Sequence, residues 1–172
     1  MGRPLVSDMA EISENLVLKP LRPADAEAVR IVTDHPAITT VISFLHPPFS
    51  VEDAEALIRR NESGNTFFLG MWRRSDDALV GISCIFLHGD DDAELGQWVG
   101  AAHHGSGYGT EAAAALTRMV GRVMPKRRIY AECRPENRTS WKILEKVGYR
   151  ADGPGKKPGF GILVYQMPEA AS

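Results

Sequence analysis

The stretch "HHGSGYGTEAAAAL", His103 to Leu116, constrains this chain more than any other. Gly105, Gly107 and Gly109 alternate immediately before an alanine-rich run with strong helix propensity. Three glycines in five residues exceed what a plain strand-to-helix connection requires. Consecutive backbone N–H groups at a helix N-terminus form a concave, partly positive nest. Without Cβ atoms in the way, phosphate oxygens can approach such a nest to hydrogen-bonding distance. A phosphate-bearing ligand is therefore expected at these glycines, with a merely flexible connection as the alternative.

The remaining elements are read outward from this anchor. "NLVLKPL" alternates as a first strand. "RPADAEAVRIVTD" follows as a helix, with Pro23 in its first turn, Asp25 and Glu27 near its positive end, and Val29 and Val32 as its apolar face. The proline-containing "HPAITTVISFLHPPF" reads as a second short helix and a loop. In "SVEDAEALIRRNES", Ser50 caps a helix with Asp53 as its box partner, and Ala54, Leu57 and Ile58 form the buried stripe.

Three consecutive strands are expected in "NTFFLGMWRR", "ALVGISCIFLHG" and "AELGQWVG". The polar links "SDD" and "DDD" make them an antiparallel meander. The glycine stretch then starts a helix running to about Val123, and "RRIYAECR" is the next strand. "PENRTSWKILEKVGYR" reads as a turn and a short helix capped by Gly148, and the loop "DGPGKKPGFG" leads to a last strand, "ILVYQM". The order β-α-α-β-β-β-α-β-α-β describes a mixed α/β domain whose parallel crossovers come late. At 172 residues one domain is expected, with a polar leader over 1–14, the domain over 15–168 and a tail over 169–172.

Charge and composition exclude several classes. Twenty Lys and Arg against twenty-two Asp and Glu leave a net charge of -2 with no massed basic patch, so no nucleic-acid partner is expected. Cys84 and Cys133 lie far apart inside apolar runs, which suits buried thiols rather than a disulfide or a metal site. The five histidines show no metal-ligand spacing, and no metal is expected. No apolar run approaches the ~18–20 residues of a membrane span. "MGRPLVSDMAEISEN" lacks the apolar core of a signal peptide, so a cytoplasmic, reducing setting is expected.

Among phosphate ligands, a P-loop is disfavoured because no Lys-Ser/Thr pair follows the glycines. Gly107, Gly109 and Ala112 do fit a dinucleotide pattern, with Glu132 some twenty residues on. However, "AAHHGS" separates the glycines from the preceding strand, and about sixty residues downstream leave little room for further βαβ repeats.

The whole of "AELGQWVGAAHHGSGYGTEAAAAL" resembles the acyl-CoA-binding motif of the GNAT superfamily of acetyltransferases, particularly its RimJ/RimL-type members. In the pattern (Q/R)xxGx(G/A), Gly107 and Gly109 match while His104 departs from the first position. "RPENRTSWKILEKVGYR" resembles the second family motif, with Asn137, Ser140, Lys146, Gly148 and Tyr149 in place. The resemblance runs from about Asn15 through nearly all of the chain. It implies a central mixed sheet with an antiparallel meander, splayed central strands and flanking helices.

By this resemblance the cofactor is acetyl-CoA or another acyl-CoA, with its pyrophosphate on the main chain of Gly105, Ser106, Gly107, Tyr108, Gly109 and Thr110. His104 either touches phosphate or shapes the loop. The strand "QWVG" would flank the pantetheine arm, with Trp98 and Val99 beside it and an N–H donor to the thioester oxygen near Val99. The Trp98 ring itself reads as core packing. Asn137 would bond the arm or cap its helix. Ser140 would serve the departing thiolate, since Leu144 replaces the tyrosine that other members use.

An amine acceptor must shed a proton. An α-amino group near ~7.7–8.0 is already partly neutral at physiological pH, whereas a lysine amine near ~10.4 is not. Glu94 is the first candidate base, directly or through water, and His88 the alternative, because histidine titrates near neutrality. The implied reaction is N-acetyl transfer to a protein N-terminal amine or a small-molecule amine. A non-catalytic acyl-CoA-binding sensor of the same fold is the competing reading. Acceptor contacts are expected from "TTVISFLHPPF" and "GPGKKPGFG", no membrane partner is expected, and the family admits a homodimer.

Overall fold

A computed structural model describes residues 4–168 of the chain. Thirteen strands and α-helices follow one another as β1 (Glu11–Ile12), β2 (Leu16–Pro20), α1 (Ala26–Thr33), α2 (Pro36–Thr39), α3 (Val51–Arg59), β3 (Thr66–Arg73), β4 (Leu79–His88), β5 (Asp92–Val99), α4 (Tyr108–Val123), β6 (Arg128–Cys133), α5 (Arg138–Val147), β7 (Tyr149–Pro154) and β8 (Gly161–Tyr165). The strands form one sheet in the order β1-β2-β3-β4-β5-β6-β8-β7, and β5–β6 is its parallel pair. The expected mixed α/β class and the central meander are both present.

Alternation along the strands sorts side chains onto two faces. Phe67, Leu69 and Met71 of β3 with Ala93 and Leu95 of β5 meet Ala112, Ala115, Leu116 and Met119 of α4. Phe68, Ile82, Cys84 and Trp98 point the other way, against Val29 and Val32 of α1 and Ala54, Leu57 and Ile58 of α3. Strand β5 thus separates two helical layers. Ser50 caps α3, accepting from the Asp53 amide, while the Asp53 carboxylate accepts from the Ser50 amide in return.

Three expectations need correction. The polar leader is not separate from the domain: Met9 is fully buried, and Glu11 and Ile12 pair with Leu18 and Val17 of β2. The segment after Gly148 is strand β7, paired with β8, where only a loop was expected. All its residues after Tyr149 are exposed, so no apolar alternation marks it. One parallel crossover, β5-α4-β6, replaces the several expected, because β8 enters antiparallel to β6. The tail over 169–172 lies outside the described residues.

Candidate active site

The site begins where the sheet opens. Strand β5 pairs with β6 only at Asp92–Arg128, Ala93–Ile129 and Glu94–Tyr130, and beyond Glu94 the two strands part. On its other side β5 stays paired with β4 through to Val99. The Gly100 amide donates to the Val80 carbonyl at 2.8 Å, which sets the parity of this ladder. Alternate residues of an antiparallel strand bond the same neighbour. Glu94, Gly96 and Trp98 therefore bond β4, while Leu95, Gln97 and Val99 turn to the other side, where the bridge at Glu94–Tyr130 still engages the Leu95 amide and the amides of Gln97 and Val99 face the opening. The four residues from Gly96 to Val99 at ~3.4 Å each give this free edge a length of ~14 Å.

The wide end of the opening is closed by the glycine loop. Gly105 and Gly107 have φ of 82° and 81°, left-handed values that an L-residue adopts only at a cost. No atom lies within 4 Å of where a Cβ would stand at either position. Gly107 is the N-cap of α4 without a side-chain cap, and the first main-chain bond of the helix runs from the Glu111 amide to its carbonyl. The amides ahead of Glu111 consequently aim at open space, with the positive end of a 16-residue helix behind them.

Gly109 answers to a different constraint. A Cβ there would stand 3.1 Å from Ile143 Cδ1 and 3.6 Å from Gln97 Nε2. Its absence lets α5 and β5 close on the first turn of α4. Gln97 Nε2 donates to the Gly109 carbonyl at 2.7 Å, and Gln97 Oε1 is buried without a partner. Sequence reasoning passed over Gln97, although its signal was there: a polar residue in the core-facing phase of Ala93, Leu95 and Val99.

His104 does not reach toward the nest. Its Nε2 donates to the Val99 carbonyl at 2.7 Å, which ties the loop to the end of β5. Ser106 is exposed and Thr110 half-buried. Tyr108 packs onto the α4-side core and, with Arg73 and Arg74, lines a pocket of about 420 Å³. The Trp98 ring is buried in the opposite core, its Nε1 donating to Thr33 Oγ1 at 3.1 Å. Asn137 caps α5, its Oδ1 accepting from the Ser140 amide at 3.3 Å. Ser140 is half-buried and sits three residues before Ile143 on one side of α5, the side turned to α4.

At the narrow end the two candidate bases meet. His88 Nε2 lies 2.8 Å from Glu94 Oε2, and Lys157 Nζ lies 3.7 Å from Glu94 Oε1. The Glu94 side chain is 13% exposed. Tyr130 stacks beside His88 with ring centroids 6.3 Å apart, and burial, reinforced by the Glu94 charge, raises the Tyr130 phenol above its usual range. Cys84 lies beneath Gly96, and burial pushes its thiol up to about 12. Cys133, on β6 past the parting of the strands, is pushed up to about 11, again mainly by burial. Both thiols are buried, as their apolar settings implied.

Both segments expected to meet an acceptor converge on this end. Phe44 stands edge-on to Phe86 and Trp98, each with centroids 5.8 Å away, while Arg60 lies over Phe68 and Phe86. Phe44, Phe49, Asp53, Leu57 and Arg60 line a pocket of about 190 Å³ on this face. From the late loop, Lys156 Nζ lies 3.4 Å from the Tyr130 hydroxyl, and its amide donates to Glu132 Oε1. Among the described residues no cluster could hold a metal ion, and no helix is long and apolar enough to cross a membrane.

Comparison with known proteins bears on this geometry. A family model described as the acetyltransferase (GNAT) domain matches residues 15–150. The chain is 32% identical over 110 residues to the uncharacterized N-acetyltransferase YnaD of Bacillus subtilis (strain 168). That match covers 63% of this chain and 65% of YnaD, just under two thirds of the relative's length. A GNAT-family acetyltransferase from Bacillus anthracis superposes with a TM-score of 0.78 at 26% identity, covering 91% of this chain and 96% of the other. RimJ of Mycobacterium smegmatis, solved in complex with CoA-disulfide, shares the fold at a TM-score of 0.73 and 23% identity, over 87% of this chain and 80% of RimJ.

Proposed function

The chain belongs to the GNAT acetyltransferase family, and from that premise we propose that it moves an acetyl group from acetyl-CoA to a primary amine by direct attack. One observation carries the proposal: the opening between β5 and β6 has an uncapped helix N-terminus at its wide end and a carboxylate–imidazole pair at its apex. Acetyl-CoA supplies an activated thioester when bound. The amides from Gly105 to Thr110 hold its pyrophosphate, which needs no side chain at the His104 position. The free amides of Gln97 and Val99 line the arm, and one of them donates to the thioester oxygen as negative charge develops there.

On the opposite face of β5, Glu94 accepts the proton of the incoming amine directly or through a water, and His88 holds that carboxylate in place. The Ser140 hydroxyl donates to the departing sulfur from α5. The amine enters over Phe44, Phe86 and Trp98, so acceptor and cofactor reach β5 from different sides. A protein N-terminal amine is the first acceptor to test, because an α-amino group with pKa ~7.7–8.0 asks less of the base than a lysine does. A small-molecule amine is the second.

The test follows thiol release from acetyl-CoA across a panel of N-terminal peptides and small amines, alongside CoA calorimetry. Turnover on at least one amine is expected, and Glu94→Gln should lower kcat by ~10²-fold while leaving CoA affinity intact. CoA binding with no turnover on any amine would favour the sensor reading. No CoA binding would sink both readings.

A further inference from the structure

We infer that Lys157 is itself an acetyl acceptor, so that the protein acetylates its own late loop in the absence of an external amine. The inference rests on the proposed acetyl transfer and concerns a residue to which that reaction assigns no part. Lys157 Nζ is 3.7 Å from Glu94 Oε1, at the apex of the β5–β6 opening. This is where the proposed base meets an incoming ammonium group. Lys157 thus stands where an acceptor amine would stand, and its side chain is 44% exposed.

The loop that delivers it is a built structure. The Gly155 amide donates to the Phe160 carbonyl at 2.7 Å, and the Phe160 amide to the Lys157 carbonyl at 3.1 Å. The neighbouring Lys156 fastens the loop to β6 twice, through its amide on Glu132 Oε1 and its ammonium beside the Tyr130 hydroxyl. Lys157 Nζ also lies over the Phe160 ring, 5.4 Å from its centroid. The two adjacent lysines therefore differ in kind. Lys156 is engaged by the wall of the site, and Lys157 faces the base.

The chemistry balances without a further reagent. The Lys157 ammonium gives one proton to the Glu94–His88 pair and attacks the thioester carbonyl of acetyl-CoA as a neutral amine. A C–N bond forms, the C–S bond breaks, the nitrogen loses its second proton, and CoA leaves as the thiol. The product is an uncharged acetyl-lysine, and Glu94 loses its cationic partner. A single turnover suffices, so a slow step is tolerated.

The test incubates the full chain with acetyl-CoA and no added amine, and maps acetylation by peptide mass spectrometry over time. The expected result is one acetyl group at Lys157 with Lys156 unmodified, at a first-order rate independent of protein concentration. Lys157→Arg should abolish the modification, and Glu94→Gln should slow it by ~10²-fold. Acetyl groups spread over surface lysines, equally in wild type and Glu94→Gln, would overturn the inference. So would a rate that rises with protein concentration. If CoA binds and added amines turn over while Lys157 stays unmodified, the inference fails and the proposed transfer stands. If CoA does not bind, both fail.

Discussion

At Gly107 two demands on one residue can be separated. The left-handed backbone costs an L-residue ~1–2 kcal/mol, while the space where a side chain would go is open. Gly107→Val should therefore fold with a modest loss of stability and lose at least ~10-fold in CoA affinity, equivalent to ~1.4 kcal/mol. Calorimetry beside urea denaturation checks this, and unchanged affinity would refute the phosphate nest. Sequence alone treated the three glycines as one device. Gly105 and Gly107 do share a reason, but Gly109 is small so that Ile143 and Gln97 can approach, a contact between segments far apart in the chain. His104 was likewise legible as a departure from the family pattern, while its bond to the Val99 carbonyl depends on how the loop turns back.

At the scale of elements, the start of α5 decides what Asn137 does. As a cap on the Ser140 amide it should contribute ~1 kcal/mol. Asn137→Ala should lose that amount, and Asn137→Asp, an equally good cap, should recover it. Failure of Asp to recover stability would argue that the amide nitrogen matters instead. Helix α4 is held at its first turn by Glu111, whose carboxylate accepts from the Ser13 hydroxyl and from the Asn15 amide and side chain. Burial alone would raise its pKa, but the bonds from Ser13 and Asn15 outweigh it and hold the group below its usual value. A lowered folded pKa stabilises the ionised form, so this contribution is present above ~4.3 and fades as pH falls through the lowered value. Denaturation between about pH 6 and pH 3 should show a steeper stability loss for wild type than for Glu111→Gln. Equal slopes would contradict the tether.

Elements with strong local signals were legible: the capped α3, the three-strand meander, and α4 with its glycine start. Strands β1 and β7 were not. The first is two residues long, and the second is an exposed edge strand held by pairing with β8 rather than by any apolar pattern of its own.

Across the whole molecule, function rests on β5 acting as a partition. In the proposed reaction its α4-side phase and free main-chain edge serve the cofactor, and its α1–α3-side phase, which carries Glu94, serves the acceptor. The parting of β5 from β6 was legible only through family resemblance, because no residue in either strand announces that pairing stops after Glu94. The meeting of His88 with Glu94 was also hidden. Sequence offers the two only as alternative bases, and the hairpin register that pairs His88 with Asp92 makes them neighbours. If the opening binds CoA only when folded, ligand at 100 times its Kd should add ~2.7 kcal/mol and raise Tm by ~5–11 °C. The absence of any shift would count against a formed site.

The partition is tested most directly by titrating CoA into isotope-labelled protein and following backbone amide resonances. The amides of Gly105 to Thr110 should shift together with those of Gln97 and Val99, while those of α1 and α3 stay in place. Shifts centred on α1 and α3, or a nest that does not respond at saturating CoA, would contradict the assignment of the cofactor to this side of β5.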